Sequence, residues 1–451
     1  MNPGIFREYD IRGIAGKDIL EEDAKSIGRA YGTLLQRQNR KTVSVGRDCR
    51  LTSESFAAHF ISGILSTGCD VVDIGVCPTP VLYFSIQHLG LEGGAMVTAS
   101  HNPPEYNGFK LMSGEDSIHS QGLQDVRRLI EAKDFVEGRG QVIQKDVITP
   151  YKKFLVQNIK IKHPLRVGID AGNGTGGITA LPVLKQLGCE VHDLYCDPDG
   201  TFPNHESDPT QKKNLLDLIA LVREKNLDLG VGYDGDADRI GVVDKNGNVI
   251  YGDQLMVIYA REILQRNPGA VFISEVKCSM VMYEDIRKHG GRAVMWRTGH
   301  SLIKKKMKEE NAALAGEMSG HMFFKDRYLG FDDALYATCR LLEIMADTGL
   351  GVDELIEDLP KTFTTPELRV DCPDHIKFEV VARIVKAFKA KMEVIDIDGL
   401  RAVYKDGWGL VRASNTQPAL VLRFEALSEK RLAEIRNEIE SALKAIIKET
   451  K

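Results

Sequence analysis

Leu165–Gly177 reads LRVGIDAGNGTGG, and the chain then passes through a helix-like stretch to Gln186–Tyr195, QLGCEVHDLY. A β-branched run, a glycine-rich polar turn, a helical period, a glycine and a second β-branched run make a strand–turn–helix–strand unit. The same order recurs upstream, from TVSVGRDCR (Thr42–Arg50) to STGCDVVDIG (Ser66–Gly75). It recurs downstream, from GAVFISEVKCS (Gly269–Ser279) to HGGRAVMWRTG (His289–Gly299). The first strands lie on the order of 100 residues apart, too far for a stacked solenoid, so three repeated α/β domains are predicted.

The C-terminal part reads differently. VVARIVKAFKAKM (Val380–Met392) is helical, and strands are expected in IDGLRAVYKDGWGLVRAS (Ile397–Ser414) and ALVLRFEA (Ala419–Ala426). YKDGWG carries an Asp-Gly hairpin signal, and a charged helix closes the chain from about Ser428. With 451 residues the chain is too long for one core. We expect domains at 1–150, 151–250 and 251–366, with a smaller α+β domain at 367–451, and boundaries near Pro150, Tyr251 and Pro366.

Hydrophobic residues at 43% and charged residues at 27% are ordinary for a soluble protein. A net charge of −5 with interspersed signs offers no footprint for nucleic acid. No apolar run approaches membrane-spanning length, so no membrane partner is expected. The eight cysteines are scattered without a Cys-x-x-Cys pair. The opening MNPGIFREYD carries no leader pattern, so reduced structural thiols in a cytoplasmic protein are expected.

The sharpest chemical signal is GYDGDADRIG (Gly232–Gly241). Asp234, Asp236 and Asp238 alternate with small residues just after the buried-strand pattern LDLGVG. Three such carboxylates can converge on a hard cation and repel one another without it. An EF-hand is excluded, because Arg239 and Lys245 stand where its glycine and glutamate belong. An Asp-x-Asp-x-Thr/Val phosphatase motif fails at Asp238. The trio reads as a Mg²⁺ site, with Arg239 beside it as a cation for phosphate.

A second stretch, TASHNPPEYNGFK (Thr98–Lys110), places Ser100 on a loop that two prolines keep from becoming helix. Alone it is compatible with a turn serine. There is no Gly-x-Ser-x-Gly, and in an extended chain His101 points away from Ser100. In VRASNTQPALVLRFEA (Val411–Ala426), Arg412, Ser414, Asn415 and Thr416 crowd four donors into five residues, ahead of a strand bearing Arg423. Such a loop suits phosphate oxygens. In AGEMSGHMFF (Ala315–Phe324), Glu317, Ser319 and His321 share one face if the segment is extended, a set able to read sugar hydroxyls and move a proton.

Taken together these motifs resemble the α-D-phosphohexomutase family, in the family's order and over nearly the whole chain. TASHNP resembles its phosphoserine loop, DGDADR its metal loop, GEMSGH its sugar loop and RASNTQP its phosphate loop. FREYDIRG (Phe6–Gly13) and RTGHSLIKKKM (Arg297–Met307) add to the match, and GEMSGH is most similar to the bispecific phosphomannomutase/phosphoglucomutase subgroup. The resemblance implies four domains around a central cleft, three related α/β domains and one α+β domain. It implies interconversion of hexose 1-phosphate and 6-phosphate, of mannose, glucose or both, through a hexose 1,6-bisphosphate. Ser100 would carry the phosphoryl group, and Mg²⁺ would sit on Asp234, Asp236, Asp238 and the phosphoserine.

Lys110 is the leading candidate base, its pKa depressed by surrounding cations, with Arg12 and His101 close by. His321 is a second candidate or a ligand contact. Glu317 and Ser319 would bind the sugar's O3 and O4. Arg412, Ser414, Asn415 and Thr416 would hold the phosphate that is not reacting. Tyr9, Arg239, Lys277, Gly299 and His300 align with family contacts. Small sugar phosphates are the expected partners of a monomer or small homo-oligomer. A phosphoglucosamine mutase is the nearest alternative, against which Met318 leans. A silent sugar-phosphate-binding paralogue would be expected to lack one of these groups, and a bisphosphatase would need a cleft open to water.

Overall fold

The computed structural model describes residues 1–414 and 418–450, so Asn415 and Thr416 lie outside the described residues. Each of the three repeated units builds a sheet on one plan. In the first, Thr42–Arg47 pairs in parallel with Asp70–Val76 and with Gly93–Val97, and Gly93–Val97 turns back antiparallel into Tyr106–Ser113. In the second, Arg166–Asp170 lies parallel to Glu190–Leu194 and to Leu229–Tyr233, which turns back into Ile240–Asp244. In the third, Val271–Glu275 lies parallel to Arg292–Trp296 and to Leu314–Gly316, which turns back into Met322–Phe324. The central strands are buried on both faces, which is why they read as apolar runs rather than alternating ones.

The glycine in each repeated unit has a common cause. Gly68, Gly188 and Gly290 follow the first crossover helix with φ of 85°, 90° and 82°. Each donates its N–H to the carbonyl three residues back, on Leu65, Lys185 and Arg287. A left-handed turn at this point steers the chain from helix to second strand, and glycine adopts it without a Cβ penalty.

The three units are not separate globules. One continuous apolar core runs through all of them, from Val72 and Phe84 through Tyr151, Val183 and Val231 to Tyr259, Phe324 and Leu341. The helices Thr79–Leu89, Ile148–Asn158, Gly252–Arg266 and Ala334–Thr348 supply its bulk. The C-terminal domain has an antiparallel sheet, Gly407–Ala413 between Leu400–Tyr404 and Ala419–Ala426, covered by helices Asp374–Lys389 and Glu429–Thr450. Its core is its own. It meets the third unit through a small apolar cluster of Val276, Trp408 and Leu410. Around that cluster, Arg401 stacks on Trp408 at 3.8 Å and donates to the carbonyls of Val276 and Cys278. The buried Glu425 accepts from Trp408, Ser279 and the N–H of Met280.

Among the described residues, no helix is long and apolar enough to cross a membrane. All eight cysteines are free thiols, and seven are buried.

Candidate active site

The loops that carry the chemical motifs occupy one topological position. Ser100 lies in the turn between the third parallel strand of the first sheet and its antiparallel return. The aspartates lie in the same turn of the second sheet, and Glu317 to His321 in that of the third. These turns stand beyond the carboxyl ends of parallel strands, where α/β sheets place their sites. The first two converge directly: the Ser100 hydroxyl donates to Asp234 Oδ2 at 2.6 Å, across the boundary between units.

Ser100 is not extended. Its φ is +50°, a left-handed conformation that costs a non-glycine residue about 1 kcal/mol. This corrects the expectation that His101 points away: the bend brings His101 Nδ1 to 3.0 Å from Ser100 Oγ. Burial, then the Arg239 and Arg12 guanidinium groups, push the His101 pKa well below its usual value, so the ring is neutral. Arg12 donates to Asn102 Oδ1 at 2.7 Å and pairs with Asp10, bracing the same loop.

The three aspartates are completely buried, with carboxylate oxygens within 4.8 Å of one another. Burial and then the charges of Asp238 and Asp236 push Asp234 well above the usual carboxylate range. Backbone N–H groups of Asp238 and Arg239 hold its Oδ1, each at 3.1 Å. Asp236 Oδ2 accepts from Lys110 and from the Thr79 hydroxyl, both at 2.6 Å, while its Oδ1 is buried without a hydrogen-bond partner. Buried oxygens drawn together against their own repulsion, with Asp236 Oδ1 and Asp238 Oδ1 both lacking a hydrogen bond among the described residues, form a hard donor set, and the residues fit a divalent cation. A second grouping of Asp238, His321 and Asp332 is also compact, but His321 and Lys304 already balance its charge.

Lys110 differs from expectation. Instead of cations it faces two carboxylates, Asp236 Oδ2 at 2.6 Å and Asp238 Oδ2 at 2.5 Å. Burial works against its charge, but these two partners outweigh burial and hold the pKa well above its usual value. On the other side, Lys110 and His321 overcome burial to keep Asp238 ionised.

The Glu317–His321 stretch is a tight turn rather than the extended segment expected, closed by the bond from Gly320 N to Glu317 O at 3.0 Å. The turn still gathers the side chains. His321 Nδ1 lies 2.8 Å from Glu317 Oε2 and 3.1 Å from Ser319 Oγ, and its Nε2 lies 3.2 Å from Asp238. Burial opposes the charged ring, yet Asp238 and Glu317 raise its pKa to about 9. His300 stacks on His321 with ring centres 5.7 Å apart and meets Tyr9 edge-on at 6.1 Å. Gly299 N donates to Glu317 Oε1, and Tyr9 OH donates to Thr298 O.

The remaining expected residues lie on the third and fourth domains. Lys277 lies 3.3 Å from Glu367 and 3.8 Å from Glu275, and Arg412 is among the charges that act on it. Arg412 is buried and donates to Asp398 at 2.9 Å. The Ser414 carbonyl accepts from Lys377. Arg423 stands on the strand Ala419–Ala426 opposite Leu410, its buried Nε without a hydrogen-bond partner among the described residues.

Three residues escaped the sequence reading. Thr79 looks like an ordinary helix start before Pro80, Arg50 follows the first strand without any motif, and Lys304 hides in a run of three lysines. The signal available for Arg50 was its position in the first turn of a repeated unit.

Comparison with known proteins agrees with this arrangement. The chain matches the phosphoglucomutase/phosphomannomutase α/β/α domains I, II and III over residues 3–137, 147–247 and 251–363. It matches the C-terminal domain of the same family over 367–442. A phosphomannomutase/phosphoglucomutase from Pseudomonas aeruginosa is 44% identical over 98% of this chain and 96% of its own length. A phosphoglucomutase from Neisseria meningitidis is 44% identical over 98% and 97%. A solved phosphoglucomutase/phosphomannomutase family protein from Burkholderia thailandensis superposes with a TM-score of 0.93 at 42% identity, covering 99% of this chain and 98% of that one. The chain therefore belongs to the phosphoglucomutase/phosphomannomutase family. It is an enzyme, a mutase that interconverts hexose phosphates.

Proposed function

We propose that this mutase interconverts the 1- and 6-phosphates of both glucose and mannose, with Ser100 as the phosphoryl carrier and a hexose 1,6-bisphosphate as intermediate. The observation that carries the reading is the meeting of Ser100 Oγ with Asp234, beside Lys110 and the two other aspartates. In the first half-reaction the Ser100 Oγ–phosphorus bond breaks and a bond from the sugar hydroxyl oxygen to phosphorus forms. The hydroxyl's proton passes to the enzyme. After the bisphosphate turns over, the other phosphoryl group returns to Ser100 Oγ and a hydroxyl is regenerated on the sugar. Transfers of this kind depend on position and on neutralising charge.

The buried aspartates Asp234, Asp236 and Asp238 would hold Mg²⁺, which when bound supplies Lewis-acid stabilisation of phosphoryl charge and competes with Lys110 for Asp236 and Asp238. Lys110 is assigned the proton transfer at the sugar hydroxyl, a role that requires a cation on Asp236 and Asp238 to displace the two carboxylates that otherwise hold it protonated. The neutral His101 beside Ser100 Oγ and Arg12 on the same loop stand next to that chemistry. The charged His321 and Arg239 face phosphoryl oxygens. Glu317 and Ser319 bind O3 and O4, which exchange places when the sugar turns over, so O2 goes unread and both epimers fit. Tyr9, Lys277, Gly299 and His300 complete the sugar-phosphate contacts. Arg412 and Ser414, with Asn415, Thr416 and Arg423, grip the phosphate that is not reacting. A cytoplasmic monomer or small homo-oligomer completes the proposal.

Assays of glucose, mannose and glucosamine 1-phosphates in parallel test it. Turnover of the first two and little of the third is expected, and preference for the amino sugar would sink the specificity assignment. Ser100→Ala should abolish turnover even with glucose 1,6-bisphosphate added; retained activity would exclude the carrier role.

A further inference from the structure

We propose that Arg50, oriented by Asp48, is a positioning residue for phosphoryl transfer, holding the Ser100 loop in the bent form that aims Ser100 at the aspartates. The inference rests on the reading of Ser100 as the phosphoryl carrier. Arg50 is only 2% exposed, and all five of its guanidinium N–H groups are committed. Nη2 donates to the carbonyls of Ser100 at 2.7 Å and Asn102 at 2.6 Å. Nη1 donates to those of Pro103 at 2.6 Å and Tyr106 at 3.0 Å. The fifth, Nε, goes to Asp48 Oδ2 at 3.1 Å. Asp48 is fixed in turn, its Oδ1 accepting from Arg50 N and the Ser53 hydroxyl.

Four carbonyls of one irregular loop thus converge on a single planar cation. The Pro103 carbonyl also accepts from Tyr106 N at 3.0 Å, but the two prolines bring no N–H of their own to the loop, and a buried unpaired carbonyl is costly. The cation makes the bent path the satisfied one. It also sets the Ser100 peptide against the second domain. The Ser100 oxygen lies between Arg50 Nη2 and Gly235, where any Cβ would come within 2.5 Å of it. Phe202 of the second domain covers the guanidinium at 5.0 Å.

The second domain uses the same device. In its corresponding turn, Thr175 N and Oγ1 both donate to the Gly235 carbonyl, at 2.9 and 3.2 Å. In both domains, the turn after the first strand braces the chemical hairpin. Because Arg50 acts through main-chain carbonyls, it sets where Ser100 Oγ points and leaves the sugar contacts alone.

The test follows phosphorylation of Ser100 by mass spectrometry after glucose 1,6-bisphosphate and Mg²⁺ are added to the full chain, beside steady-state kinetics and thermal unfolding. Arg50→Lys keeps the charge and loses the five-fold donor geometry. We expect Ser100 phosphorylation and kcat to fall by about 100-fold, with KM unchanged and the fold retained. Free guanidinium ion should restore part of the rate to Arg50→Ala, a response that a general loss of packing would not give. If Arg50→Lys does not fold, Asp48→Asn takes its place with the same expected loss. A folded variant phosphorylated as fast as the parent protein, or one whose KM rises in step with the loss of kcat, overturns the inference. A parent protein that gains no phosphate on Ser100 overturns the carrier reading itself, a different and separable result.

Discussion

The lesson of the individual residues is that their neighbours decide their state. Lys110 has the sequence environment of a loop lysine, and only the fold reveals that Asp236 and Asp238 clasp it, because those residues lie more than a hundred positions away. The convergence of the three aspartates was legible in their spacing, but the bend at Ser100 was not, since nothing local in TASHNP demands a positive φ there. Asp236→Asn should keep the fold and abolish Mg²⁺-dependent turnover; unchanged rates would remove the aspartates from the metal site. Thr79 is a subtler case, for its buried hydroxyl donates to Asp236 Oδ2 and so orients that carboxylate. Thr79→Val should raise the Mg²⁺ concentration for half-maximal activity by about 10-fold, as loss of a ligand's supporting hydrogen bond does. Thr79→Ser should restore it, and a Thr79→Val enzyme with unaltered metal dependence would refute the role.

Among elements, the repeated strands and crossover helices were readable because buried parallel strands are apolar runs and the first crossover of each unit ends at a left-handed glycine. The hairpin at Tyr404–Gly407 was foreseen for a partly mistaken reason. Gly407 does not sit at the turn with positive φ but opens the return strand, where a Cβ would come within 2.4 Å of the Glu425 carbonyl. The turn at Glu317–His321 was read as extended because alternation with small residues suits a strand equally well.

The helix Ala334–Thr348 yields a pH prediction. Its N-cap Asp333 accepts from Tyr336 N and from the hydroxyls of Tyr151 and Tyr328, yet burial raises its pKa to about 6. Such a group binds more protons folded than unfolded between about pH 4 and 6, so its contribution to stability falls as pH rises through that window. Asp333→Asn lacks this titration. Its stability relative to the parent should improve by at most about 3 kcal/mol from pH 4 to 7, measured by denaturant unfolding; a constant difference would refute the assignment.

For the whole molecule, the sequence disclosed three repeats and a different tail, but not that the repeats share one core, because which helix packs on which sheet depends on contacts between units. Nor did it disclose that the loops bearing Ser100, the aspartates and Glu317–His321 are the same hairpin three times over. The C-terminal domain is attached more narrowly, through Trp408 and its neighbours. Trp408→Ala removes a buried side chain of a kind whose loss costs about 3–5 kcal/mol. It should raise KM for the sugar phosphate, since Arg412 rides on that domain, and speed hydrogen exchange across the joint more than in the shared core. Uniform loosening of all four domains would contradict this picture. The same asymmetry decides how the polypeptide can be divided. A break between the first three units would expose halves of one interior and leave fragments that aggregate. A break in the mostly exposed stretch 357–362 would release two pieces that each keep their own core and open only the small joint around Trp408, able to reassociate when mixed. The enzyme is thus a two-part machine written as a four-part chain, and fragment complementation at that point is open to direct construction.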